Sequence, residues 1–233
     1  MYPDDCIQNL IDSSWWIKDS DSKFKRGKLI KAYVPHVAQD PLRLVITGRV
    51  KPEDHKRAKF LAEPLRIRHE QQTNKLPIAA LPVYPGEELA VYRVKKRPLV
   101  IISIGGDEIP RELCRDKPKW QTYPTILVAP FYGRDESGGR AGFSEEFVKR
   151  VRSCEYPHYM WDILPISGTT VESILRLDQI QPLGRAFELC EFCDCCLSEE
   201  ALIILDEWVQ WLVNGQLTAG GPLHTIRECL VTI

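Results

Sequence analysis

The chain has 233 residues, with 31 Lys/Arg against 32 Asp/Glu and a formal net charge of -1 at pH 7. That length buries one sizeable core or two small ones, and the near-neutral balance announces no general polyanion binder. No apolar run approaches the roughly 20 residues that span a bilayer, and the acidic start MYPDDCIQNL lacks the basic flank of an export signal, so a cytoplasmic protein without membrane contact is expected.

Taken in order, CIQNLIDSSWWI predicts a short amphipathic helix and KDSDSKFKRG its linker, so residues 1–26 read as an N-terminal helical extension. KLIKAYVPHV follows as a strand ending at Pro35. Residues 36–93 form a long inserted segment with a strand-like LRLVITGRV, a helix over PEDHKRAKFLAE, and the Pro-punctuated, irregular PLRIRHEQQTNKLPIAALPVYPGEEL. Residues 48–75 carry eight Lys/Arg against four Asp/Glu, and Arg93, Lys95, Lys96 and Arg97 extend the basic run. A solvated face explains such a run; the sharper reading is local attraction for an anion such as RNA.

RPLVIISIGG and TILVAPFYG are buried-type strands. HYMWDILPI is expected as a third, SILRLDQI as a fourth, and RAFELCEFC as a fifth or an extended lead-in. Ser198 then caps EEALIILDEWVQWLVNG, where Leu202, Leu205, Trp208, Val209 and Leu212 recur at helical spacing and Asn214-Gly215 is the stop. Residues 216–233 are a tail expected to add an edge strand or dock loosely.

Four of the eight cysteines crowd into CEFCDCC, at 190, 193, 195 and 196. A zinc site commonly needs two separated pairs of ligands, and a strand sends Cys193 and Cys195 to one face and Cys190 and Cys196 to the other. Reduced thiols are expected, with no metal and no cofactor. The five histidines sit in no ligand-like spacing.

Arg176 and Asp178 stand two apart inside an otherwise apolar strand. Alternation puts both on one face, roughly 6.5–7 Å apart along the chain. Such a pair is either a solvated ion pair worth about 0–1 kcal/mol or a working acid–base and phosphate-binding couple.

The order KRGKLIKAYV, KRPLVIIS, TILVAP, LRLDQI and LSEEALIILDEWVQWL resembles the MazF/PemK/Kid family of bacterial toxins. The likeness covers residues 24–34 and 95–215. It implies that residues 27–215 form a mainly β fold with α, a small twisted barrel of the Src-homology-3-like kind, with residues 36–93 inserted and an amphipathic helix closing it. It further implies a metal-independent endoribonuclease acting on single-stranded RNA, a possible homodimer, and a cognate antitoxin protein. RLDQ resembles the family's catalytic Arg-x-Asp-Gln, which makes Arg176 and Asp178 the catalytic pair. Asp178 is expected as general base or acid and Arg97 as a phosphate clamp, while Tyr132, Phe143, Lys95 and Lys96 are expected to contact the substrate. AGF, ending at Phe143, resembles a short RNA-contacting piece of the family.

Two departures stand out. The inserted segment replaces one moderate loop, and Tyr132 stands where many members have a catalytic Thr or Ser. The alternatives are a catalytically silent PemK-like binding module acting on a protein or nucleic-acid partner, or a topoisomerase poison on the same fold.

Overall fold

The computed structural model describes residues 2–68, 86–106, 109–116, 125–134, 142–166, 171–185 and 187–231. The chain divides into two compact units, Met1–Tyr33 with Lys96–Ile233, and Val34–Lys95. It is mainly β, with eleven strands among the described residues: β1 (Trp16–Lys18), β2 (Lys28–Pro35), β3 (Leu42–Arg49), β4 (Ala58–Pro64), β5 (Ala90–Val91), β6 (Val94–Ser103), β7 (Thr125–Gly133), β8 (Tyr159–Leu164), β9 (Val171–Arg176), β10 (Gln181–Gly184) and β11 (Cys190–Leu197). Three α-helices accompany them among the described residues: α1 (Glu145–Arg152), α2 (Glu199–Asn214) and α3 (Pro222–Val231).

In the first unit the strands follow the order β1-β11-β2-β6-β7-β9-β8, with β10 also on β7. Strand β7 organises this sheet. Leu127–Pro130 of β7 pair with Leu99–Ser103 of β6 on one edge. The other edge is shared, with β10 along Thr125–Val128 and β9 along Phe131–Gly133. To pass from one half of that edge to the other the chain must step aside, and it does so in a 3-10 turn, Leu177–Gln179. SILRLDQI is therefore strand only as far as Arg176. The turn is secured by Leu177 N–H donating to His158 O at 2.9 Å and by burial of the Leu177 side chain, 1% exposed.

Among the described residues the strand path is open rather than closed by backbone pairing, with β1 and β8 as its ends. Side chains lace those ends together. Asp162, on β8, is fully buried. Its Oδ2 accepts from the indole N–H of Trp15 at 3.1 Å and of Trp16 at 3.0 Å, and its Oδ1 accepts from the Tyr2 hydroxyl at 2.8 Å and its neighbour's amide, Ile163 N–H, at 2.7 Å. Gln8 Nε2 donates to Trp161 O at 2.5 Å.

The expected helix at the start of the chain is thus replaced by a 3-10 turn, Ile7–Asn9, and β1, paired with β11 through Trp16↔Leu197. Cys6, Ile7 and Trp15 sink into the core at 1%, 2% and 1% exposure. These tertiary partners outweigh a weak local helical period.

Gly27 explains the Arg-Gly pair before β2. Its φ is +75°, and a Cβ there would stand 3.0 Å from both Leu197 Cβ and Leu202 Cδ2. Buried Lys28 next to it is satisfied by Asp19, its Nζ donating to the carbonyl at 2.6 Å and the carboxylate at 3.1 Å. Burial works against the Asp19 charge, yet donors on Lys25 and Lys28 hold its carboxyl down at about 2.

Helix α2 begins as the sequence indicates, with Ser198 Oγ accepting Ala201 N–H and Gly215 ending it at φ +72°. Its deepest face is Ala201, Ile204, Leu205, Trp208 and Trp211, while Leu202, Val209 and Leu212 flank it, partly buried. The tail is helix α3 rather than a strand. Pro222 suits a first helical position, and Glu207 Oε2 accepts Leu223 N–H at 2.7 Å. Leu223 and Leu230 anchor it in the core.

On β11 the register shifts between Phe192 and Cys196. Cys195 and Cys196 are both buried, Cys195 in the main core and Cys196 with its thiol on Arg26 O at 3.4 Å. Burial pushes the Cys195 thiol up to about 12, so it is a protonated packing group. No three metal-ligating side chains converge among the described residues.

In the unit Val34–Lys95 the strand order is β4-β3-β5. The expected helix over PEDHKRAKFLAE is absent; its second half is β4, aligned on β3 from Leu42↔Pro64 to Arg49↔Ala58 around a bulge between Ile46 and Gly48. Ladder pairing with an adjacent strand overrides the helix propensity of Ala, Lys and Glu.

Two consequences of the Asp162 cluster are measurable. Burial outweighs the four donors and raises its carboxyl from 3.8 to about 7. A raised acid stabilises the fold below its unfolded value and loses that contribution as pH rises through the folded one. Thermal melts are expected to show stability falling between pH 4 and pH 7, whereas Asp19 and Glu191, both held down at about 2, act only below that window. Asp162→Asn turns an amide N–H₂ toward indole or hydroxyl donors, and a loss of about 2–4 kcal/mol in urea unfolding is expected.

Candidate functional site

The end of β9, the turn after it and the neighbouring strand ends gather several side chains singled out in the sequence. Arg176 is the last residue of β9 and Asp178 the middle of the 3-10 turn. The turn, not strand alternation, folds one back on the other. Arg176 Nε donates to Asp178 Oδ1 at 2.7 Å and Nη2 to Oδ2 at 2.5 Å, a two-pronged pair. Their side chains keep 20% and 25% of their surface exposed, so the pair is reachable from solvent. The Asp178 bonds raise the Arg176 pKa above its already high value, making it a fixed cation at any working pH.

Register brings the next two residues alongside. Leu99 of β6 pairs with Pro130 of β7, and two residues further along each strand stand Arg97 and Tyr132. The Arg97 guanidinium lies 3.5 Å from the Tyr132 ring centroid. Arg176 lies 5.5 Å from the same ring and 5.0 Å from that of Tyr159, its cross-strand partner on β8. The Tyr132 hydroxyl donates to Oε1 of buried Gln179 at 2.6 Å. Two cations, two phenol rings, a carboxylate and an amide thus share one corner of the sheet. Each cation–π contact contributes about 0.5–2 kcal/mol, depending on desolvation.

Arg97 is expected from the family resemblance as a phosphate clamp. It is 7% exposed and covered by the Tyr132 ring, which the β6–β7 register places beside it on the same face of the sheet. A phosphate reaches Arg97 only if Tyr132 moves. Tyr132, expected to offer its ring to a base, already has Arg97 against it and its hydroxyl committed to Gln179.

Phe143 is partly buried in an aromatic cluster at α1, stacked on Phe147 at 5.5 Å. Phe147 in turn meets Tyr159 edge-on at 5.4 Å, so Phe143 joins the corner only through two intervening rings. The first residue of AGF lies outside the described residues. Lys96 points away from Arg97 and forms an ion pair with Glu191, which Lys31 also holds at 2.9 Å. Lys95 is exposed and belongs to the unit Val34–Lys95.

Gln179 and Tyr159 were not singled out beforehand. Gln179 is the last letter of the quoted RLDQ, and its role emerges only when the turn swings it under Tyr132. Tyr159 read simply as a strand residue; nothing local marks it as the neighbour of Arg176. Comparison with family models, curated proteins and solved structures returns no match.

Tyr132→Phe isolates the hydroxyl. It leaves the buried Gln179 Oε1 without its donor and keeps the ring on Arg97, so a destabilisation of about 1–3 kcal/mol is expected by urea unfolding, rescued in part by pairing it with Gln179→Leu.

Proposed function

We propose that the chain is a metal-independent endoribonuclease of the MazF/PemK kind, a toxin whose activity on single-stranded RNA is held in check by an antitoxin protein. The observation that carries this reading is the solvent-reachable Arg176–Asp178 pair, formed in a 3-10 turn beside a second arginine and two phenols. The motif order in the sequence supports the same family. So does the antiparallel sheet whose end strands meet through Asp162, an arrangement compatible with a small Src-homology-3-like barrel laced by side chains.

RNA carries its own nucleophile. In this reading Asp178 takes the 2′-hydroxyl proton as O2′ attacks the adjacent phosphorus. The P–O5′ bond breaks, and the proton returns to O5′ directly or through water. Arg176 shifts one or both of its donors from Asp178 to the phosphate as negative charge builds there. Products end in a 2′,3′-cyclic phosphate and a 5′-hydroxyl. Arg97 contributes from below Tyr132, through the ring or after its displacement.

The second reading is a silent binding module on the same scaffold. It is favoured by one observation: Arg97 is covered by Tyr132, while Arg176 keeps part of its surface open.

Incubation with a long unstructured RNA in EDTA separates the two. Cleavage with cyclic-phosphate ends is expected, and Asp178→Asn is expected to slow it by about 10²-fold or more. Intact RNA with the wild-type protein selects the silent module, and unchanged cleavage by a folded Asp178→Asn protein removes Asp178 from the mechanism.

A further inference from the structure

The inserted unit differs from the rest of the chain in charge and in packing. Val34–Lys95 carries eleven Lys/Arg against seven Asp/Glu, while all other residues together carry twenty against twenty-five. The excess is presented to solvent. Lys51, Lys56, Arg57 and Lys59 are exposed at the β3–β4 hairpin and along β4, and Arg66 and Arg68 are exposed beyond it. Acid pairing is light here. Arg57 reaches Asp54 at 3.7 Å with its side chain 75% exposed, and Glu63 is turned instead to Arg43 at 2.5 Å.

Among the described residues neither face of the sheet is sealed. Register puts Leu42, Leu44, Ile46, Phe60, Ala62 and Val91 on one side of it. Leu42 is 41% exposed, Phe60 40% and Val91 40%. Phe60 stands on that side of the edge strand β4, and Lys59, one residue before it, faces the other side.

We propose that this sheet binds single-stranded nucleic acid, its cations taking backbone phosphates and Phe60 stacking on an unpaired base. Exposed cations on the β3–β4 hairpin and the edge strand, with an exposed ring at that same edge, are what a flexible polyanion with open base faces requires. The charge argues against two copies of the sheet packing face to face, since both carry the same excess. These residues belong to a different unit from Arg176 and Asp178, and the proposal stands whether or not that pair cleaves RNA.

The test is a fluorescence-anisotropy titration of the full chain with a labelled 2′-O-methyl oligoribonucleotide of about 20 nucleotides in EDTA. That probe has no 2′-hydroxyl, so binding is read without cleavage. KCl is varied from about 50 to about 250 mM. Replacing Lys56, Arg57 and Lys59 together by Ala is expected to make the log–log salt slope shallower by about 2 and to weaken binding at low salt at least about 10-fold. Phe60→Ala is expected to weaken binding about 5- to 100-fold with the salt slope kept. A control changing Lys18, Lys23 and Lys149, exposed cations of the other unit, is expected to have a much smaller effect. Circular dichroism and melting establish that each variant is folded. Wild-type affinity and slope in the triple variant overturn the proposal, as does an equal loss in the control, which reduces the effect to net charge. Tighter binding to a duplex of the same length also overturns it, because a duplex offers no open base face.

Discussion

The buried carboxylate of Asp162 ties the two ends of the main sheet together. A sheet that curls to cover its own core leaves two edge strands, and each edge carries unsatisfied backbone groups and exposed apolar side chains. Here the ends are β1 and β8, and Asp162 joins them with two indoles, a phenol and an amide. One carboxylate joins the two ends of the strand path, which no backbone ladder connects among the described residues. The N-terminal residues that supply the donors also cap β8 through Gln8 and meet the start of α2, where Glu200 accepts from Ser13. Because the carboxyl is fully buried, each donor matters: removing any of them leaves a charge or a polar atom with no access to water.

The same sheet creates the candidate site by a conflict of pairing. Strand β7 is long enough for two partners along one edge, and the chain serves both by breaking between β9 and β10. A break in a sheet frees side chains from strict alternation. Arg176 and Asp178 lie close because the turn carries Asp178 back, and Gln179 swings inward to anchor Tyr132. The site is rigid for the same reason. Leu177, between the two charged residues, is buried and its amide is held by His158 O, so the turn has little freedom. A closely held Arg176–Asp178 ion pair on a sheet corner suits the proposed cleavage, which depends on positioning more than on motion.

The two units divide the physical tasks. Buried apolar residues of the core belong almost wholly to the unit that includes both termini, and the inserted sheet contributes surface and positive charge instead. In the functional reading proposed above, the first unit supplies chemistry and the inserted one supplies hold on a polyanion.

Much of the secondary structure was legible in the sequence, because it rests on short-range signals. The Val/Ile/Leu runs of β6 and β7, the Ser198 cap, the acids that follow it and the Asn214-Gly215 stop are local rules of backbone and side-chain chemistry. The adjacency of Arg176 and Asp178 was legible too, though for a different geometric reason than alternation. Tertiary structure alone decided the rest. CIQNLIDSSWWI and PEDHKRAKFLAE have locally acceptable helical patterns, yet the first is a 3-10 turn leading into β1 and the second half of the other is β4, since strand pairing and a buried Trp15 outweigh a few tenths of a kcal/mol per residue of propensity. The covering of Arg97 by Tyr132, the capture of that ring by Gln179 and the gathering of Tyr2, Trp15 and Trp16 on Asp162 join residues 35 to 160 positions apart, and such pairings are set by register and packing that no local pattern encodes.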